Sequence, residues 1–197
     1  MKTIDKFSLN GNIKGLIFDC DGTLVDSMPL HMKAWKEAFR QFNERYDEKF
    51  LFSLKGMKEI EIIQLYNMEF QTSIEPEKIL IAKHEYFLRH ISEVKPIKPV
   101  VDVVKSYFGK LPLAVVSGSV KEIVHSELKV VGIYDLFNII LTADDPFKPK
   151  PNPEIFITAA SKIKISPESC LVFEDGDPGL EAAVRAGMQT IDVRKYL

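Results

Sequence analysis

Gly15-Leu16-Ile17-Phe18-Asp19-Cys20-Asp21-Gly22-Thr23 is the stretch on which the fold turns. Four apolar residues stop abruptly at an aspartate, the pattern of a strand buried on both faces of a parallel sheet. Similar runs recur at Leu113-Ala114-Val115-Val116, Ile139-Ile140-Leu141, Cys170-Leu171-Val172-Phe173 and around Ile191-Asp192-Val193. The segments between them are punctuated as helices. Ile123, Val124, Leu128 and Val131 form an apolar stripe that stops at Gly132. Asn152 and Pro153 are expected to open a helix with Phe156, Ala159, Ala160 and Ile163 on one face. Asp177 is expected to cap another that carries Leu180, Ala183 and Val184 and stops at Gly187, with Glu181 and Arg185 paired on its exposed side. Strands alternating with helices at this spacing predict right-handed βαβ crossovers, and so an α/β fold with a Rossmann-like, mostly parallel open sheet.

Residues 29–96 break the alternation. Trp35, Phe39, Phe42 and Tyr46 fall at helical spacing, as do Ile60 and Ile63, and then Ile79, Lys83, Phe87 and Ile91. Phe50-Leu51-Phe52 is too short and too flanked by charge to read as a strand. The expectation is an all-helical cap domain over 29–96, its aromatic stripe forming the cap's own core. It is inserted into a core domain made of 1–28 and 97–197, and Lys95-Pro96-Ile97-Lys98-Pro99 is a stiff hinge between the two. Across the whole chain of 197 residues, 26 lysines and arginines nearly balance 28 aspartates and glutamates. That balance argues against a nucleic-acid partner and against a polybasic membrane anchor. No apolar run exceeds four residues, so no membrane span is expected. The two cysteines, Cys20 and Cys170, sit in apolar surroundings and are expected to be buried reduced thiols of a cytoplasmic protein.

Chemistry gathers at the carboxyl ends of the strands, where open α/β sheets bind ligands. Asp19 and Asp21 end the first strand, two carboxylates that repel each other unless a cation lies between them. Ser117-Gly118-Ser119 follows the second. Backbone N–H groups there, with a glycine allowing close approach and the Ser117 hydroxyl, suit an anion. After the third comes Lys148-Pro149-Lys150-Pro151-Asn152-Pro153, whose alternating prolines hold Lys150 extended and aimed. The fourth runs into Glu174-Asp175-Gly176-Asp177. Asp19, Asp21 and Asp175 together make an oxygen-only acidic cluster of the kind that holds Mg²⁺, beside a lysine and an anion nest. Those are the parts that phosphoryl transfer needs: an in-line nucleophile, and positive charge on the equatorial oxygens. A small phosphorylated metabolite is the expected partner.

The chain resembles the haloacid dehalogenase superfamily, with a helical cap after the first strand. Asp19-Cys20-Asp21-Gly22-Thr23-Leu24-Val25-Asp26-Ser27 is similar to the family's first motif, Ser117 to its second, Lys150 to its third and Glu174-Asp175 to its fourth. The resemblance implies that Asp19 is a nucleophile forming an aspartyl-phosphate. It implies that Asp21 protonates the leaving alkoxide and then activates water, and that Ser117 and Lys150 hold the phosphoryl oxygens. Mg²⁺ would be held by Asp19, the backbone carbonyl of Asp21, and Asp175. Gly176 departs from the small polar residue usual there and is expected to loosen support for the metal.

Within that superfamily, His31-Met32-Lys33-Ala34-Trp35 and Leu54-Lys55-Gly56 resemble the β-phosphoglucomutase-like sugar phosphatases, the fructose-1-phosphatase type included. His31, Lys55 and Lys83 are the cap residues this likeness would aim at the substrate. The mutase uses a cap arginine three residues after the glycine to clamp a second phosphate, and here that residue is Glu59, beside Lys58. A carboxylate would repel a second phosphate, and the chain ends soon after Asp192-Val193-Arg194, as the shorter phosphatases do. A monomeric sugar phosphatase is therefore expected, with a β-phosphoglucomutase as the alternative. A non-enzymatic phospho-accepting module fits less well, because such modules have no cap and place their acidic pair before the phosphorylated strand end.

Overall fold

The computed structural model describes residues 11–55 and 57–197. The expected boundary at residue 1 and Gly56 of the Leu54-Lys55-Gly56 motif lie outside the described residues. Strands β1 (Gly15–Phe18), β4 (Leu113–Val116), β5 (Ile139–Leu141), β6 (Cys170–Glu174) and β7 (Gln189–Asp192) form one parallel sheet in the order β5-β4-β1-β6-β7. β1 lies in the middle, with Leu16 opposite Leu113 on one side and Leu171 on the other. All four residues of β1 and β4 are buried, which is why their sequences are apolar runs and do not alternate.

Helices cover both faces. Leu16 and Phe18 point into a core shared with α5 (Lys98–Tyr107) and α6 (Lys121–Val130). Ile17 points the other way, into a core shared with α7 (Glu154–Lys162) and α8 (Asp177–Arg185). From β1 the chain steps outward through β4 and β5, then returns to place β6 on the opposite side of β1. The order reverses between β1 and β6, so the ligand-binding crevice of such a sheet falls where Asp19 and Glu174-Asp175 emerge.

The insertion is helical as expected. α1 (Met28–Gln41), α2 (Glu48–Ser53), α3 (Glu59–Phe70) and α4 (Pro76–Arg89) enclose a core of their own built on Trp35, Phe39, Ile63, Tyr66 and Ile79. Its two connections to the sheet domain pair with each other. β2 (Val25–Asp26) and β3 (Lys95–Pro96) run antiparallel, and the Ile97 N–H donates to the Leu24 carbonyl at 2.9 Å. Among the described residues no helix is long and apolar enough to cross a membrane. Cys20 and Cys170 are buried and unbridged.

Several local expectations give way to tertiary structure. α1 stops at Gln41 and the chain turns through Asn43 at φ 56°, so Phe42 is left exposed and Tyr46 lies beyond the helix. Ile60 is exposed, and only Ile63 of that pair is buried. In α8 the cap position falls on Gly176. Asp177 becomes the first helical residue and pairs with Arg194 at 2.8 Å. The buried face of α8 is Gly179, Ala182 and Ala183, which leaves Val184 in solvent, while Glu181 and Arg185 do pair at 2.5 Å.

Candidate active site

Asp19 follows β1 directly, its N–H donating to the Phe173 carbonyl at 2.9 Å, and it is 5% exposed. Lys150, equally buried, reaches across from the proline-rich segment. Its ammonium donates to Asp19 Oδ1 at 2.6 Å and to Glu174 Oε1 at 2.8 Å. The other Glu174 oxygen accepts the Gly176 N–H at 2.5 Å. Asp175 Oδ1 accepts from Thr23 Oγ1 at 3.2 Å. Two glycines make this close assembly possible. Gly22 has φ +84°, and a Cβ there would lie 2.5 Å from Asp175 Oδ2; a Cβ on Gly179 would overlap the Glu174 carboxylate.

Carboxylate oxygens of Asp19, Glu174 and Asp175, all buried, lie within 4.8 Å of one another. Burial and then the neighbouring Glu174 push both the Asp19 and the Asp175 carboxyl up, against the pull of Lys150 on Asp19 and of Lys55 and then Lys150 on Asp175. Burial alone would lower the Lys150 ammonium, but Asp19 and Glu174 overcome it and raise it. A buried, oxygen-only set that strains against its own charge fits a hard divalent cation, and Asp19, Glu174 and Asp175 are the side chains that could hold one. The Asp21 side chain does not join them, so only its backbone carbonyl is left to serve as a ligand.

Asp21 belongs to a second network. Its Oδ1 accepts from Ser27 Oγ at 2.6 Å and bonds His31 Nε2 at 2.8 Å; its Oδ2 accepts from Ser117 Oγ at 3.2 Å and Ser119 Oγ at 2.9 Å. Burial would raise this carboxyl, but His31 and Ser27 outweigh it and hold Asp21 well below the usual carboxylate range. Ser117 also accepts the Ser119 N–H at 3.0 Å, and α6 begins only at Lys121, so the expected anion nest is a turn ahead of the helix. Gly118 lines the cleft next to it.

The cap supplies the opposite wall of the cleft, with Trp35, Leu51 and Ile62 among its lining. His31 and Lys55 line it, and Lys55 donates to Asp175 Oδ2 at 2.7 Å. Lys83 does not line it. Its ammonium is fully buried behind the wall, bonded to His31 Nδ1 at 2.9 Å and to Glu59, so the expectation that Lys83 faces substrate is corrected. His84 bonds the other Glu59 oxygen.

Sequence reasoning missed Glu127. This residue sits on the buried face of α6, takes the Cys20 thiol on Oε2 at 3.4 Å, and leaves Oε1 without a hydrogen bond 3.8 Å from His31 Nε2. Burial and then Asp21 push its carboxyl well up, beneath the Asp21–His31 pair. The signal was there: Glu127 falls four residues after Ile123 and just before Leu128, inside the apolar stripe.

The ion pairs of Glu59 make stability depend on pH. Burial would raise its carboxyl, but Lys83, then His84 and His31, bring it from 4.5 down to about 2. A depressed carboxyl contributes stability above its unfolded value and loses it as pH falls toward the folded one. The stability gap between wild type and Glu59→Gln in urea unfolding is therefore expected to be widest above pH 4.5 and to shrink between 4.5 and about 2.

A family model described as haloacid dehalogenase-like hydrolase matches residues 16–193. Fructose-1-phosphate phosphatase YqaB of Escherichia coli is 37% identical over 181 residues, covering 91% of this chain and 96% of that protein. A β-phosphoglucomutase of Bacillus subtilis is 29% identical over 192 residues, covering 92% of this chain and 83% of that one. Among solved structures, a hydrolase from Pseudomonas syringae superposes with a TM-score of 0.82 at 25% identity, over 90% of this chain and 83% of that one. The chain belongs to the haloacid dehalogenase-like hydrolase family, among its phosphatases.

Proposed function

We propose that this protein hydrolyses small sugar phosphates with Mg²⁺, through a phosphorylated Asp19, as a monomer in the cytoplasm. The observation that carries the reading is the pairing of two aspartates in separate environments. Asp19 lies in an acidic cluster gripped by Lys150, and Asp21 in a hydroxyl and imidazole network two residues on. In the first half an Asp19 oxygen attacks phosphorus, the bond from phosphorus to the leaving oxygen breaks, and Asp21 delivers its proton to that oxygen. In the second half water attacks phosphorus, the Asp19–phosphorus bond breaks, and Asp21 takes the water's proton. The second half needs Asp21 ionised, a form its bonds to Ser27 and His31 favour, and that half returns it to the acid form for the next turnover. Lys150 and Ser117 would hold phosphoryl oxygens, Lys150 while restraining Asp19. A bound divalent cation would add positive charge on the phosphoryl oxygens and offset the mutual repulsion of Asp19 and Asp175. A relative named fructose-1-phosphate phosphatase supports a sugar phosphate as substrate.

The mutase reading draws on a relative of that name, but it needs a cation where Glu59 stands. Phosphate release from a sugar phosphate panel, with Mg²⁺ and with chelator, separates the two. The mutase would instead interconvert sugar phosphates with a bisphosphate primer and release little phosphate. The metal is also expected to stabilise the fold. Mg²⁺ at about a hundred times its dissociation constant adds roughly 2.7 kcal/mol, which raises Tm by about 5–10 °C for a chain of this size. Asp175→Asn is expected to remove that shift in a thermal melt. An unchanged melting curve for wild type with Mg²⁺ would count against the metal site.

A further inference from the structure

We infer that Glu127 is a positioning residue for the reaction, one that holds Asp21 and His31 in register from beneath the site. The inference rests on the phosphatase reading and assigns a residue to its acid–base chemistry. Glu127 lies on the buried face of α6, wholly enclosed, in line with Ile123, Val124 and Leu128. One of its oxygens accepts the thiol of Cys20 at 3.4 Å. Cys20 separates the two aspartates, and its carbonyl takes the N–H groups of Thr23, Leu24 and Val25 at 3.2, 2.9 and 3.1 Å. Glu127 therefore grips the turn from which Asp19 and Asp21 both project. Its other oxygen has no hydrogen bond and lies 3.8 Å from His31 Nε2. An oxygen of Asp21, one of Glu127 and a ring nitrogen of His31 fall within 4.8 Å of one another.

Stability does not account for a carboxyl at this position. Its unmatched oxygen is out of water and costs free energy, and an apolar side chain would suit the stripe better. The geometry of His31 supplies the reason. Its ring stacks on Phe87 with centroids 4.3 Å apart, and its Nδ1 faces the Lys83 ammonium at 2.9 Å. An ammonium only donates, so Nδ1 accepts and the hydrogen of the ring sits on Nε2. That hydrogen points to Asp21 Oδ1 at 2.8 Å, with Glu127 Oε1 near by. Asp21 accepts four bonds, from Ser27, His31, Ser117 and Ser119, which fills both its oxygens. Once Asp21 carries the proton that it hands to the leaving group, it accepts fewer bonds and holds His31 less tightly. Glu127 Oε1 is then a second acceptor for the same N–H. The ring keeps its place, and Asp21 keeps its aim through both halves of the reaction.

The test compares Glu127→Met and Glu127→Gln with wild type on two kinds of ester. One is the sugar phosphate that wild type hydrolyses best, whose alkoxide must be protonated to leave. The other is p-nitrophenyl phosphate, whose phenolate leaves without a proton. kcat/KM covers the steps through departure of that group, so the difference between the esters isolates the acid step. Glu127→Met is expected to lose about 10–100-fold in kcat/KM on the sugar phosphate and less than about threefold on p-nitrophenyl phosphate. Its Tm is expected to equal or exceed that of wild type, since a buried unmatched carboxyl is gone. Glu127→Gln keeps an oxygen for His31 and is expected to stay within about threefold of wild type on both esters. An equal loss on the two esters, or none, in the methionine variant would overturn the inference. So would a lowered Tm, which would make Glu127 a support of the fold. A glutamine variant as impaired as the methionine one would overturn it too, because an acceptor at that place would not suffice. No phosphate release by wild type from any sugar phosphate would instead overturn the reading on which the inference stands.

Discussion

Asp19→Asn is expected to abolish phosphate release, with a loss in kcat of at least about 10⁴-fold on any sugar phosphate. The amide keeps the shape of the side chain and can still accept from Lys150 at the position of Oδ1, so the site should assemble. What it loses is the nucleophile, since an amide oxygen does not form a phosphoryl ester under these conditions. The same change should not unfold the protein. Asp19 is a carboxyl that burial and Glu174 push up, so removing its charge relieves repulsion within the cluster. A Tm equal to or above that of wild type, together with lost turnover and lost acid-stable labelling by a phosphorylated substrate, is the expected combination. Turnover surviving in the Asp19→Asn variant would rule out the covalent route and leave direct attack by water.

The sheet and the cluster were legible because both are local in sequence. A strand buried on two faces must be a continuous apolar run; β1 and β6 are such runs that end where charge begins, and β4 is one that ends at Ser117-Gly118-Ser119. Candidate site residues on the strand ends inherit that legibility: Asp19, Asp21, Ser117, Lys150 and Asp175 each follow an apolar run or lie in a proline-stiffened segment at short range. Strand order then does the rest, because the reversal between β1 and β6 brings Asp19 and Asp175 together whatever the intervening sequence does.

Cap and second-network residues were harder to read, because their roles depend on packing between helices distant in sequence. Lys83 could be placed on a helix from its spacing, but whether it faced the cleft depended on Glu59, which lies 24 residues earlier on another helix. Glu127 meets Cys20 from 107 residues away, a contact no periodicity encodes. Helix ends were misplaced by smaller effects. Asp177 is a good capping residue by type, yet Arg194 draws its carboxylate outward and Gly176 takes the cap position. Trp35 and Phe39 pack inward as their stripe implied; the left-handed turn at Asn43 ends the helix before Tyr46, whose ring still packs on Phe39 at 6.1 Å.

Lys150→Met should be the most destabilising single change at the site. The ammonium lies 2.6 Å from Asp19 Oδ1 and 2.8 Å from Glu174 Oε1, with all three side chains almost wholly buried. Methionine fills similar volume but leaves both carboxylates without a cation, and breaking a buried ion pair from one side costs about 3–5 kcal/mol. The sign of the pH dependence follows from Asp19. Its carboxyl is raised already in the presence of Lys150, and without the ammonium it rises further. A raised carboxyl favours folding below its unfolded value and opposes it as pH climbs toward the folded one. The deficit of the methionine variant in urea unfolding is therefore expected to be small near pH 4 and to widen toward pH 8. Mg²⁺ should recover part of it at neutral pH, since a cation held by Asp19 and Asp175 supplies charge to the same oxygens. Activity is expected to fall about 10²–10³-fold even where the variant is folded, because the phosphoryl oxygens lose a fixed positive charge in a dry site. A deficit independent of pH and untouched by Mg²⁺ would mean that Lys150 acts by packing against the Phe156 ring, 5.4 Å from its ammonium, and not by balancing the carboxylates.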